Sequence, residues 1–266
     1  MTLEIIEDYY DAVPRFGARA EDFGPLTLFV REGDGWPFYA RPVRTGTTGV
    51  TADHVEKVRQ RQRELNIPEA FEWVDDLTPS LRAAVEATGL AVHEHPLMVL
   101  DPAAFTVPEQ SSPPARVLGP DDPALTSAVA VGHLAFADGG TKIGEAGLEQ
   151  LAVAVADRAG DGSAERMAER IRTGRTVMAA AITDDDIALC SGAHQPVGAT
   201  TEIVGVGTLP AARRQGLALA VTGALVADAL AQRVTTVFLS AGDEDVARIY
   251  GRLGFRRIGT ALIAEA

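Results

Sequence analysis

Two segments in the last third of the chain bring together residue types that can do chemistry. The first is Val204-Gly205-Val206-Gly207-Thr208-Leu209-Pro210-Ala211-Ala212-Arg213-Arg214-Gln215-Gly216-Leu217-Ala218. An apolar strand ends there, Pro210 turns the chain, and a loop opens directly into an amphipathic helix. The first amides of a helix have no intrahelical acceptor, and the macrodipole adds roughly half a positive charge. N–H groups converging at such a point bind phosphate. Gly216 lets a ligand approach the backbone closely. Ala218 is nearly as small, and Arg213 and Arg214 bring donors and charge. The segment suits a pyrophosphate. The plainer alternative is a strand–loop–helix joint with surface arginines, and the R-x-x-G-x-A spacing by itself is a weak signal. The second segment runs from Asp243 to Phe255. Tyr250 lies seven residues beyond Asp243, about two helical turns. A phenol, with a pKa near 10, is matched to protonate a leaving thiolate. An isolated tyrosine is far more often an ordinary half-buried aromatic with its hydroxyl at the surface.

The elements that must position these residues can be read from periodicity. In the rear part, Arg116–Leu118 suggests a strand and Pro123–Ala137 a helix. Residues 145–158 and 163–173 follow as two more helices. Thr176–Ile182, Ile187–His194 and Thr200–Thr208 read as strands. From Gly216 to Gln232, the apolar residues Leu217, Val221, Leu225, Val226 and Leu230 share one helical face. Thr235–Ser240 is a β-branched and aromatic strand, Asp243–Leu253 a helix closed by Gly254, and residues 256–264 a last strand. This order predicts an α/β (α+β) fold, a mixed and mostly antiparallel central sheet flanked by helices. The front part repeats its ending more weakly. Leu26–Val30 and Pro37–Val43 look like strands, Thr51–Leu65 like a helix, Ala70–Val74 like a strand, and Pro79–Thr88 like a helix. A strand follows through Leu97–Leu100. The shared order suggests two copies of one unit.

The chain has 266 residues, between one domain and two. Asp101-Pro102, Pro108 and Ser111-Ser112-Pro113-Pro114 interrupt any apolar period. They predict a smaller related unit at residues 1–105, a linker at 106–115 and a second domain at 116–266. The net charge is −13, of which −9 falls in residues 1–110 and −4 in 111–266. That field disfavours phosphate backbones, so no nucleic-acid partner is expected. One cysteine, Cys190, excludes a disulfide framework and a cysteine-based zinc site, and no metal site is expected. Met1–Asp8 is acidic, unlike a secretory signal, and the uncharged stretch Gln215–Ala227 is too short to span a bilayer. A cytoplasmic protein with no membrane partner is expected.

Taken together, the two chemical segments resemble the GNAT acetyltransferase superfamily. Val206-Gly207-Thr208-Leu209-Pro210 is similar to the family's fourth strand and its exit. Arg213–Ala218 is similar to its Q/R-x-x-G-x-G/A acetyl-CoA loop, and Asp243–Phe255 to its N-x-x-A-x-x-x-Y-x-x-x-G-F helix and turn. The likeness is specific over about residues 200–258 and topological over 116–199. Ala218 replaces the commoner second glycine, Thr208 stands where Val is usual, and Asp243 stands where Asn often contacts pantetheine.

The resemblance implies acetyl-CoA in a V-shaped opening between the strand ending at Thr208 and the strand starting at Thr235. Backbone groups of Val206, Gly207 and Thr208 would hold the pantetheine, and Arg213, Arg214, Gln215, Gly216, Leu217 and Ala218 the pyrophosphate, with Asp243 nearby. A small-molecule or peptide amine would attack the thioester directly. Tyr250 would act as acid, and Glu202 as base or as a structural acceptor. A charge reversal at Arg213 or Arg214 is expected to weaken CoA binding. His133 and Phe136 lie on the helix that in this family often borders the acceptor pocket, although a lone His there is more often a surface or packing residue. His194 would be exposed at a strand end, and Cys190 would be a small buried hydrophobe. The front copy lacks the chemistry. Val85 stands where Tyr250 would, and Arg44–Gly49 does not match the loop motif, as in tandem acetyltransferases with a degenerate half. Two other readings stay open: a non-catalytic acyl-CoA-binding or scaffold protein, and a thiol or aminoglycoside modifier similar to mycothiol synthase. A homodimer is one option for the assembly.

Overall fold

Strand and helix signals alternate along the chain, and a computed structural model shows how they assemble. The structure describes residues 2–33, 35, 37–44, 49–108 and 111–266. The elements are, in order, α1 (Thr2–Ala12), β1 (Ala18–Asp22), β2 (Leu26–Arg31), β3 (Ala40–Pro42), α2 (Ala52–Glu64), β4 (Ala70–Val74), α3 (Pro79–Glu86), β5 (Ala91–Leu100), β6 (Ala115–Val117), α4 (Leu125–Ala137), α5 (Leu148–Arg158), α6 (Ser163–Arg172), β7 (Val177–Ile182), β8 (Ala188–Val197), β9 (Thr200–Thr208), α7 (Leu217–Ala231), β10 (Thr236–Ser240), α8 (Glu244–Gly251) and β11 (Phe255–Glu265). The fold is α/β, with mostly antiparallel sheet flanked by helices. Helix α1 and strand β1 were not expected, because the acidic start of α1 hides the apolar face that buries Ile6, Tyr9 and Tyr10.

The chain divides into two compact units, and the division differs from the expected one. One unit is Met1–Met98 with Arg257–Ala266, and the other is Val99–Arg256. The last strand, expected in the rear domain, completes the front sheet instead. It pairs antiparallel with β4, from Ala261↔Val74 to Glu265↔Ala70. The expected linker lies inside the rear unit. Asp101 N–H donates to the Gly254 carbonyl (3.0 Å) and Ile182 N–H to the Pro114 carbonyl (3.1 Å). Pro108 Cδ lies 2.5 Å from where a Cβ on Gly223 would stand. These prolines pack against the rear unit rather than mark a boundary.

The front unit buries one apolar cluster around Leu28, Phe71, Trp73, Leu81, Val85 and Leu262. The loop Arg44–Gly49 was set aside above for its mismatch, and its residues Thr45–Thr48 lie outside the described set. In the rear unit β6, β7, β8 and β9 pair antiparallel in that order, and β10 joins β9 in parallel. Helices α4 and α7 cover opposite faces of this sheet. The Ser191 hydroxyl reaches the α4 carbonyl of Ala128 (2.7 Å), whereas His194, of opposite parity on the same strand, reaches Asp228 of α7 (2.9 Å).

Candidate active site

The site is built around a defect in β9. On one side of it Ser191 pairs with Gly207, and on the other Ala193 pairs with Val204. Two steps on β8 therefore face three on β9, which is a β-bulge. Gly205 supplies the left-handed conformation that the bulge needs, at φ +63°. Gly192 opposite leaves room for Val206, whose Cγ2 lies 2.8 Å from where a Gly192 Cβ would be. Gly207 has a different reason. A Cβ there would come within 2.7 Å of Ala135 Cβ, so glycine lets the end of α4 lie on the strand. The parallel ladder from β9 to β10 runs only from Thr200↔Thr236 to Glu202↔Phe238, and β9 continues six residues beyond it to Thr208. The ladder therefore ends short of the segment expected to line the opening, Val206–Thr208.

After β9, a short 3-10 turn at Pro210–Ala212 leads to Arg213, Arg214, Gln215 and Gly216. Gly216 is the N-cap of α7 at φ +80°, and no side chain caps the helix. The first intrahelical bond there is Ala220 N–H to the Gly216 carbonyl (3.0 Å). By helix geometry the N–H groups of Leu217, Ala218 and Leu219 thus point out of the end of the helix. Arg214 is exposed and also left-handed, at φ +66°, a conformation that costs about 1 kcal/mol for a residue with a Cβ. Gln215 and Gly216 are exposed, Ala218 is half-buried, and Leu217 is buried. The Leu217 side chain anchors the helix, leaving only its backbone for a ligand.

Arg213 is placed differently from the expectation. It is buried, and its guanidinium is taken up by backbone carbonyls of residues 135–142. It donates to the carbonyls of Lys142 (2.9 Å), Ala135 (3.0 Å) and Asp138. Asp243 also has a local role. Its carboxylate caps α8 by accepting from Val246 N–H (2.8 Å).

Tyr250, on α8, interacts electrostatically with Cys190, which pairs with Thr208 at the end of β9. Its ring stands edge-on to Phe255 at 6.1 Å and is 9% exposed. Burial pushes its phenol above the usual tyrosine range, and the nearby Cys190 adds to the shift. Cys190 is fully buried, as expected. The Thr208 hydroxyl donates to its sulfur (3.2 Å), and burial pushes its thiol up to about 12. Burial thus favours the neutral phenol and the neutral thiol. Glu202 sits at the last β9–β10 rung. That is four residues before Val206, roughly 13 Å along an extended strand.

His194 corrects an expectation. It is fully buried, not exposed. Its ring bridges Thr201 Oγ1 and Asp228 Oδ2, both at 2.9 Å, and stitches α7 to the sheet. Burial pulls its pKa below the ordinary value against the pull of Asp228. Phe136, at the end of α4, is 65% exposed. Its ring lies 3.7 Å from where a Gly207 Cβ would be. His133, one turn earlier, is exposed. Among the described residues no group of three or more His, Cys, Asp or Glu could hold a metal ion. Among them, too, no helix is long and apolar enough to cross a membrane.

Solved structures share this fold. A GCN5-related N-acetyltransferase from Kribbella flavida superposes with a TM-score of 0.66 at 22% identity, over 99% of this chain and 95% of that one. One from Sphaerobacter thermophilus gives 0.57 at 16% identity, over 99% and 84%. A tandem GNAT protein from the clavulanic acid biosynthesis pathway gives 0.55 at 15% identity, over 91% and 78%. The fold is that of the GNAT acetyltransferases. Within it, residues 181–263 match the family model described as FR47-like protein, and this stretch holds β8, the bulged β9, α7 and Tyr250. A search of curated proteins gives no match.

Proposed function

We propose that the rear unit is an acetyl-CoA-dependent N-acetyltransferase acting on a primary amine of a small-molecule or peptide acceptor. The observation that carries this reading is the start of α7 without a side-chain cap, following a strand whose ladder to β10 has ended, with the buried Tyr250 interacting with Cys190, the partner of Thr208 at the end of that strand. In this reading the N–H groups at the start of α7, with Arg214, hold the pyrophosphate. Backbone groups of Val206, Gly207 and Thr208 align the pantetheine arm. The amine lone pair attacks the thioester carbonyl carbon and the C–S bond breaks. Tyr250 gives its proton to the departing thiolate. The surplus proton on the amine passes to Glu202 through water, which the separation along β9 requires. Asp243 contributes by shaping α8, and Arg213 by shaping the loop. The place of action in this reading is the cytoplasm.

The test is release of free CoA thiol from acetyl-CoA by the full-length protein across a panel of primary amines. Amine-dependent release is expected. Binding of CoA with no release across the panel would favour the non-catalytic acyl-CoA-binding reading instead.

A further inference from the structure

Arg213 belongs to the loop that would receive the pyrophosphate, yet its guanidinium is spent elsewhere. Its Nη1 donates to the Lys142 carbonyl at 2.9 Å and lies 3.7 Å from Asp138 Oδ1. Its Nη2 donates to the Ala135 carbonyl at 3.0 Å and to the Asp138 carbonyl. Ala135 lies in the last turn of α4 and Asp138 is its C-cap. The cation therefore satisfies orphan carbonyls at the negative end of that helix. Two backbone bonds fasten the same seam. Gly144 N–H donates to the Pro210 carbonyl (3.1 Å), and Ala211 N–H to the Ala146 carbonyl (3.0 Å). The seam is close enough that a Cβ on Gly144 would stand 1.9 Å from Asp138 Oδ2 and 2.8 Å from Pro210 Cβ.

The loop so held, residues 138–147, carries four glycines, and its Ile143 is 64% exposed. It leaves the end of α4 that lies against Gly207. We propose that Arg213 is a positioning residue, tying the phosphate loop to loop 138–147 so that CoA binding orders the loop beside the acylation strand. The inference rests on the assignment of the α7 N-terminus to CoA. Phosphate bound at residues 214–219 fixes the chain immediately after Arg213. Arg213, Pro210 and Ala211 are the residues that pin loop 138–147, so restraint passes from one to the other through hydrogen bonds rather than across space. Charge-assisted bonds to several carbonyls at once suit a guanidinium fork and cannot be reproduced by a shorter neutral side chain.

Hydrogen exchange of the full chain, with and without CoA, tests this. In the native protein CoA is expected to slow exchange both at 214–220 and at 138–147. In Arg213→Gln the slowing at 214–220 is expected to persist and that at 138–147 to vanish. CoA affinity should fall by about fivefold, the low end of a coupling between two sites. Gly144→Ala, which opens the seam from its other side, should give the same pattern and serves if Arg213→Gln does not fold. The inference is overturned if loop 138–147 ignores CoA in the native protein, or if it still responds in both variants. No CoA effect at 214–220 in the native protein would overturn the cofactor assignment itself, and this inference with it.

Discussion

In the front unit β4, α3 and β5 follow one another as β10, α8 and β11 do near the end of the chain. Val85 stands four residues before Gly89 where Tyr250 stands four before Gly254. Val85 is wholly inside the apolar cluster of its unit, while Tyr250 carries a buried phenol that interacts electrostatically with Cys190. The charges differ in the same way. In the front unit Arg41 is fully buried on Glu7 at 2.6 Å, beneath the ring of Tyr10. Arg41 Nε and Nη1 and Glu7 Oε2 stay without partners. Arg61 is committed to Glu21 (2.8 Å) and Arg59 to Glu69 (2.5 Å). In the rear unit Arg214 is exposed at an uncapped helix start. The front unit spends these arginines on its own carboxylates, and the rear unit leaves a helix terminus without a side-chain cap. A related order of elements thus gives a scaffold in one place and a candidate site in the other.

The comparison can be broken from either side, beginning with the largest effect. Arg41→Ala would leave Glu7 buried without its counter-charge and should destabilise the protein by about 3–5 kcal/mol. Denaturant unfolding measures this, and CoA affinity of the folded protein should not change. Tyr250→Phe removes the acid and should lower kcat roughly 100-fold, as loss of a proton donor does, with acetyl-CoA affinity retained. Unchanged turnover at saturating substrate would take Tyr250 out of the mechanism.

Glu72 gives a pH signature to the front unit. Burial raises its pKa to about 7, against the pull of Arg41 and with a push from Glu265. Its folded value lies above the unfolded one, so the folded state binds the proton more tightly. Stability is then lost as pH rises from about 4.5 to about 7 and stays lost above. Glu72→Gln should flatten that slope and stabilise by about 2 kcal/mol at pH 8, read from thermal unfolding at pH 5 and pH 8. The smallest effect belongs to Arg214→Ala, an exposed charge near an anion, which should weaken CoA binding about threefold. An equal loss at low and high salt would contradict its electrostatic role.

Much of the rear unit was legible because its signals are local. The residues of α7 repeat on one face, Pro210 ends β9, and Gly254 closes the turn after α8 at φ +96°. The candidate site residues were proposed in the same way, from spacing along one strand, one loop and one helix. The roles of individual side chains were less so. Arg213 follows a phosphate-binding spacing, but whether it faces a ligand or a helix end depends on Ala135 and Lys142, more than 70 residues away. His194 is a polar residue near a strand end, and only its long-range partner Asp228 makes burial tolerable. The bulge had a faint sign in Val204-Gly205-Val206-Gly207, since glycines inside a strand mark bulges or close approaches. Here Gly205 is the one and Gly207 the other. The destination of β11 had no local sign, because strand pairing is decided by register with β4 and not by position along the chain. The prolines of 101–115 misled for a related reason, being packed where a linker was expected.

The central claim is that the start of α7 is an acyl-CoA site. Calorimetric titration of acetyl-CoA into the full-length protein and into Gly216→Val tests it most directly. A β-branched side chain at φ +80° both strains the N-cap and covers the N–H groups. The account predicts saturable binding in the native protein, with Kd in the range of about 1 μM to 1 mM usual for enzyme substrates. It predicts no measurable binding in a folded Gly216→Val. Equal affinity in the two proteins would contradict it.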